Sequence, residues 1–190
     1  MIHSPKFIAV LDACVLYPAP MRDLLLNLAD FEMYLPKWTD KIHEEWTRNL
    51  LQNRPELTPE QLKRTIGAIY NAFPSANVEN YQALTSSINL PDQGDSHVLA
   101  AAIRCNADVI VTANLKDFPN EYLSQFDVEA QHPDYFIANL IDLNSEKALK
   151  AFQQQVSYLR KPPMQDMQVI ENLKKVGLEV TAAKLIGIIK

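Results

Sequence analysis

The stretch LPDQGDSHVLAAAIRCNADVIVTANLKDF, residues 90–118, constrains the fold more than any other part of the chain. Two acids, Asp92 and Asp95, stand in its turn-forming lead-in. Val98, Leu99, Ala102 and Ile103 then recur at helical spacing, and the small run Ala100-Ala101-Ala102 lets that helix pack close to a sheet. Asp108-Val109-Ile110-Val111-Thr112 reads as a central strand. A polar loop with Asn114 and Asp117 follows it. A helix leading into an apolar strand is half of a parallel α/β unit, because parallel strands need crossover connections and are covered on both faces.

The other half stands near the start. Phe7-Ile8-Ala9-Val10-Leu11 is a continuous apolar run that ends at Asp12, as a buried parallel strand would. In open α/β sheets ligands bind beyond the carboxyl ends of strands. Asp12 is therefore a site candidate, with the alternative that it caps a turn or the next helix ahead of Pro18 and Pro20. Met21 to Phe31 has leucines at helical spacing, with Pro20 in its first turn. Met33 to Leu35 is expected to be a short second strand. Thr39 or Asp40 offers the cap for the helix DKIHEEWTRNLLQNR. On that helix Ile42, Trp46, Asn49 and Leu50 share a face, Glu45 borders it and Glu44 lies opposite. Glu45 thus either points into a site or belongs to a solvated face. His43 and Trp38 read as structural or surface residues. Thr58-Pro59-Glu60 opens a further helix that runs to Phe73, before Pro74. A short strand and a helix around Tyr81 to Ser87 are expected between Asn77 and Leu90.

Asp95 can start the helix of the opening stretch, so an N-cap role competes with a site role, and the same holds for Asp92. One helix start does not need two acids three positions apart. His97 falls in the first turn, where a partly buried, hydrogen-bonded histidine is favoured over a ligand or base. If the two apolar strands are neighbours, Asp12, Asp95 and Asp117 converge.

Downstream, Asn120 to Phe126 reads as a short helix and Val128 to Ala130 as an edge strand. After His132-Pro133 there are only amphipathic helices: PDYFIANLIDL, SEKALKAFQQQVSYLRK and MQDMQVIENLKKVGL. Leu149, Phe152, Val156 and Leu159 form the expected core stripe of the second, and Pro162-Pro163 a linker or corner. The expected organisation is one α/β domain over residues 1–132 and a helical C-terminal extension over residues 133–190 packed on it.

Charge and composition narrow the chemistry. The net charge of −5 argues against a broad basic surface that grips nucleic acid unaided. It is unevenly spread: residues 1–133 hold 10 basic and 17 acidic side chains, while residues 134–190 hold 8 and 6. No stretch approaches the roughly 20 apolar residues of a membrane span, and the start does not resemble a signal peptide. Cys14 and Cys105 form no CxxC and are expected to be reduced core thiols of a cytoplasmic protein.

Carboxylates gathered at strand ends repel one another unless a cation neutralises them. A hard divalent ion such as Mg²⁺ suits an all-oxygen site, taking one or two carboxylates together with waters and phosphate oxygens. Such an ion orients a water, lowers its pKa and stabilises charge on a phosphodiester. Other chemistries fit less well. Phosphatases with an aspartate nucleophile commonly need a second acid two residues on, where this chain has Cys14. No acid pair with a strand-end lysine marks a receiver domain. There is no GxGxxG, no GK[ST] phosphate loop and no GxSxG elbow.

With these residues in view, the chain resembles the PIN-domain ribonucleases, in particular VapC-type toxins of bacterial toxin–antitoxin modules. The resemblance rests on Asp12 of IAVLDACVL, the helical Glu45, and the blocks DSHVLAAAI and ADVIVTANLKDF at their expected separation. It covers Phe7 to about His132, and the helical tail looks like that of a subgroup with a C-terminal extension. It implies a PIN-like (Rossmann-like) three-layer α/β/α fold with a central parallel sheet, a Mg²⁺ or Mn²⁺ site, and endonucleolytic cleavage of RNA. Carried over, Asp12, Glu45, Asp95 and Asp117 are the metal-holding acids, with Asn114, Asp92 and Thr112 as auxiliaries. Asn114 stands where many relatives have another acid in a T-x-D pattern, which leaves the fourth ligand open between Asn114 and Asp117. The resemblance further implies a homodimer and a cognate antitoxin. The competing reading is a non-catalytic PIN-like module that binds RNA or a protein.

Overall fold

A computed structural model describes residues 7–189. In chain order its elements begin with β1 (Ile8–Leu11), α1 (Ala13–Leu16), α2 (Ala19–Asp30), β2 (Leu35–Lys37), α3 (Asp40–Asn53) and α4 (Pro59–Ala72). Next come α5 (Gln82–Thr85), α6 (Ser96–Arg104), β3 (Val109–Val111), α7 (Asn120–Leu123) and β4 (Glu129–Gln131). The chain closes with α8 (Pro133–Leu143), α9 (Ser145–Tyr158), α10 (Asp166–Lys175) and α11 (Glu179–Ile189). These gather into two compact units. One takes the chain up to Tyr17 and then residues 35–131; the other takes residues 18–34 and the chain from His132 onward. The second unit is thus discontinuous, and α2, expected with the amino-terminal domain, gathers with the C-terminal helices.

The first unit is built on a parallel sheet of order β2-β1-β3-β4, flanked by helices. Ala9, Val10, Leu11, Ile110 and Val111 have no exposed surface, which is why β1 and β3 read as unbroken apolar runs. From β1 the chain runs out to the edge strand β2 and then crosses back to β3. The strand order therefore reverses between β1 and β3, and the crevice beyond their carboxyl ends is where such sheets bind ligands. Register places Leu11 opposite Val111, so the next residues, Asp12 and Thr112, emerge side by side. Helix α6 packs on both strands, with Ala100, Ala101 and Ala102 fully buried as their size predicts. Helix α3 starts at Thr39, whose hydroxyl accepts from Ile42 N at 3.1 Å. Helix α4 starts at Thr58 with a reciprocal capping box to Gln61. Trp38 and His43 are buried, and Trp46 Nε1 donates to His43 Nδ1 at 2.9 Å, so both belong to the structural core of this unit.

Strand β2 begins two residues later than expected. Residues 32 and 33 are used to close α2: Glu32 turns left-handed at φ 56° and Met33 N bonds back to Leu28 O at 3.1 Å. Pairing starts only where Leu35 N meets Phe7 O at 3.0 Å. Pro36 inside β2 is tolerated because the strand is an edge. Strand β4, at the other edge, lies one residue beyond the expected span.

In the second unit α2 packs on α9 and α10, and α8 on α9 and α11. The buried face of α9 is Ala148, Ala151, Phe152 and Gln155; of the expected stripe only Phe152 is fully buried, while Leu149, Val156 and Leu159 are half-buried. Two alanines let neighbouring helices come close, and Gln155 is admitted because its amide donates to Pro20 O at 2.9 Å. Hydrophobicity alone therefore misphased this helix. Helix α11 lies within the expected helical extension, beyond the three helices picked out singly by their spacing. Gly177, at φ 88°, ends α10 by the turn that small residues favour, and the chain restarts as α11.

What anchors α11 is Asp134 on α8. Its carboxylate, 5% exposed, accepts from Val180 N at 2.9 Å and Thr181 N at 2.7 Å, while Thr181 Oγ1 donates to Asp134 O at 3.0 Å. A carboxylate on the free amides of a helix start satisfies them and meets the positive end of the helix dipole. Asp134→Ala is expected to destabilise this unit by about 2–3 kcal/mol, with Asp134→Asn losing roughly half as much. Urea melts followed by circular dichroism measure both.

Candidate active site

Asp12 leaves β1 with its N–H still bonded to Val111 O at 3.1 Å, so the sheet itself fixes its backbone. Its side chain is 5% exposed and fully engaged. One carboxylate oxygen accepts from Ala13 N at 2.6 Å, capping α1. The other accepts from Thr112 Oγ1 at 2.8 Å and from Cys14 Sγ at 3.1 Å. The strand-end and capping readings of Asp12 hold together, one on each oxygen. Thr112, with no exposed surface, uses its hydroxyl twice: it donates to Asp12 and accepts from Asn114 N at 3.1 Å. Cys14 is not a core thiol but part of the site wall. Ala113 N approaches its sulfur at 3.3 Å, and burial and the Asp12 charge push its pKa up to about 12, so it remains a protonated donor.

The two acids of the lead-in divide their roles. Asp92 accepts from Gly94 N at 2.7 Å and caps the 3₁₀ turn Gln93–Asp95. A Cβ at Gly94 would lie 3.0 Å from Asp92 Oδ1, so a larger residue there would push on the capping carboxylate. Asp95 sits at the N-cap position of α6 but makes no capping hydrogen bond. Half-buried, its pKa is raised to about 6 by burial first, then by the charges of Asp12, Asp92 and Asp117, with His97 opposing. Three acids press on a carboxylate that local structure does not use.

Glu45, one-fifth exposed, reaches the same region from α3, where Lys41 Nζ lies 3.9 Å away. Behind it His97 is buried, its Nε2 3.0 Å from Glu45 Oε1 but outside hydrogen-bond geometry, so both ring nitrogens lack a hydrogen-bond partner. His97 is thus a buried histidine at the back of the site rather than a hydrogen-bonded one. Asp12, Glu45, Asp95 and Asn114 line one cleft of about 240 Å³, shared with Cys14, Gly94, Asn49 and Arg48. Asp117, on the 3₁₀ turn Leu115–Asp117, does not line it, although its charge is felt at Asp95. Asp92 is also outside the lining. Arg48 was missed by the sequence; its position one turn beyond Glu45 on α3 was the available signal.

Among the described residues no three His, Cys, Asp or Glu side chains are grouped tightly enough to enclose a metal ion. The donor set nonetheless fits a hard divalent cation that takes one or two carboxylates and fills its remaining positions with other oxygens. The observation that carries the fit is Asp95, whose carboxylate is pressed by like charges and committed to no cap.

A family model described as "PIN domain" matches residues 9–116, more than half of the chain. The chain belongs to the PIN-domain family. Its PIN domain is followed by a match to a model described as "VapC50 C-terminal domain" over residues 133–186, so this is a VapC-type PIN protein with a C-terminal extension. It is 43% identical over 81 residues to the Mycobacterium tuberculosis protein named "Putative ribonuclease VapC50". The alignment covers 43% of this chain and 47% of that protein, about half of its length. No solved structure matches the chain.

The strained carboxylate of this PIN domain has a pH signature. Because Asp95 binds its proton more tightly folded than unfolded, stability falls as pH rises from about 4 to about 6, and the penalty is complete above that. Asp95→Asn is therefore expected to raise stability at pH 7 by about 1 kcal/mol, after discounting the shift for partial exposure. The gain should shrink on going to pH 5. Paired urea melts of both proteins in EDTA measure it; a gain that does not depend on pH would contradict the repulsion.

Proposed function

We propose that this protein is a Mg²⁺- or Mn²⁺-dependent endoribonuclease, the toxin of a toxin–antitoxin pair. The observation that carries the reading is Asp95: a carboxylate at a sheet switch point, beside Asp12 and Glu45, with its pKa raised to about 6 by burial and then by neighbouring acids. Groups held in such mutual repulsion cluster at functional sites. The family match and the relative named as a ribonuclease support the same activity.

Asp12, Asp95 and Glu45 are the proposed ligands, with Asn114 or Asp117 as the fourth position and Asp92 as auxiliary. A divalent ion held there would activate a water and neutralise the charge developing on the phosphodiester. The chain's own residues do the rest. Thr112 and Cys14 hold one oxygen of Asp12 in a fixed rotamer, so the carboxylate needs little reorganisation to ligate. Asp92 rigidifies the turn that delivers Asp95, and His97 limits where the Glu45 carboxylate can swing. Asn114, bonded through its backbone to Thr112, can offer an amide oxygen at the position where the resemblance implies an acid. RNA, a cognate antitoxin and a second copy of the chain are the proposed partners, and the cytoplasm the proposed compartment. Among the described residues no helix is long and apolar enough to cross a membrane.

Asp12→Asn and Asp95→Asn are each expected to lower RNA cleavage in Mg²⁺ by roughly a hundredfold or more, with the circular dichroism spectrum unchanged. Cleavage at the wild-type rate by either variant would sink the assignment. The loose grouping of the acids favours one rival, a non-catalytic binding module. Calorimetric titration with Mn²⁺ separates them: the nuclease takes up the ion and Asp95→Asn weakens that uptake, whereas a binding module need not respond.

A further inference from the structure

We propose that Arg48 is a phosphate-binding residue that holds a single RNA strand across the boundary between the acidic cleft and the outer face of α3. The inference rests on the nuclease reading and adds to it a strand path and a positioning residue.

The geometry is that of one helix with two adjoining stripes. Glu45, Arg48 and Asn49 face the cleft, at helical spacings of three and four. Glu44, Thr47, Arg48, Leu51 and Gln52 line a shallow groove on the next face, again at spacings of three and four. Arg48 alone belongs to both. It is also the one cation among the residues lining the cleft, whose acids are Asp12, Glu45 and Asp95.

In an acidic wall a guanidinium would ordinarily be neutralised by a neighbour. Here Glu45 is approached by Lys41 at 3.9 Å and His97 at 3.0 Å instead. Among the described residues no hydrogen bond or ion pair engages Arg48, and its side chain is exposed. A planar, always charged fork with unused donors matches a phosphate oxygen pair. A phosphodiester strand brought to the acids must also meet some positive group, because the whole chain carries −5. From Arg48 the next sugar and base would pass along Thr47, Leu51 and Gln52, which offer an apolar surface and an amide, while Glu44 at the groove's edge turns phosphates back toward Arg48. Such a surface accepts a strand without selecting a base.

The test is anisotropy titration of a fluorescein-labelled, mixed-sequence single-stranded RNA in Ca²⁺ buffer over a range of KCl, alongside cleavage in Mg²⁺. Arg48→Ala is expected to weaken binding about tenfold and to reduce the slope of log affinity against log salt by about 0.7, the value for one contact to a single strand. In cleavage the loss should fall on KM more than on kcat. Arg48→Lys should restore the slope but only part of the affinity, since it returns the charge without the fork. If the wild type binds RNA and Arg48→Ala binds it with the same affinity and slope, the inference is overturned while the nuclease reading stands. If Arg48→Ala loses affinity for polyglutamate but not for RNA, the residue serves an acidic protein partner and the inference is likewise overturned. A wild type that neither binds nor cuts RNA removes both.

Discussion

The hydrogen bond from Thr112 to Asp12 is the interaction on which the first unit depends. It joins the first residues beyond two central parallel strands, one hundred positions apart in the chain, and it is buried. A carboxylate taken out of water is costly unless its oxygens are satisfied, and Asp12 gathers a backbone amide, a hydroxyl and a thiol within its reach. The register of β1 against β3 makes this possible, since Leu11 opposite Val111 brings the next two side chains together. A slip of one residue would turn Thr112 to the other face. Sheet registry and site geometry are one constraint.

Around that fixed point the acids are arranged by contrast. Asp12 is tied down, Asp92 is spent on a turn, and Asp95 is left half-buried with nothing local to do. A fold selected for stability alone would not keep a carboxylate that burial and like-charged neighbours push to a pKa of about 6. Local rules broken without local compensation are where function is expected to reside. From the sequence either acid could cap; in the structure Asp92 caps the 3₁₀ turn, and Asp95 stands at the start of α6 without a capping bond.

What could be read from the chain follows from which forces are local. Strands β1 and β3, the small-residue face of α6 and the helix starts at Thr39 and Thr58 depend on burial patterns and capping chemistry carried within a few residues. The position of Asp12 directly beyond a buried strand was legible for the same reason. What escaped depended on partners distant in sequence. Cys14 looks like a core thiol until Thr112 and Asp12 are beside it, and His97 looks like a hydrogen-bonded histidine until Glu45 arrives from α3. Gln155 is a core residue because Pro20 O receives its amide, and the start of α11 is fixed by Asp134, forty-seven positions before Thr181. Arg48 had only its place one turn beyond Glu45 to mark it, and its meaning comes from the two surfaces it divides.

The same distinction bears on where the PIN domain ends. By similarity α2 falls inside the PIN match at residues 9–116, and the helical match begins at residue 133. By packing α2 belongs with α9 and α10. Its residues Leu24, Leu25 and Leu28 are at most 1% exposed, so the helix cannot stand bare in water without loss. The chain therefore enters the helical unit twice, once between α1 and β2 and again after β4. A tail added at the end of a finished domain would be entered once. In this protein the C-terminal helices complete the burial of a segment that lies within the PIN match but gathers with them.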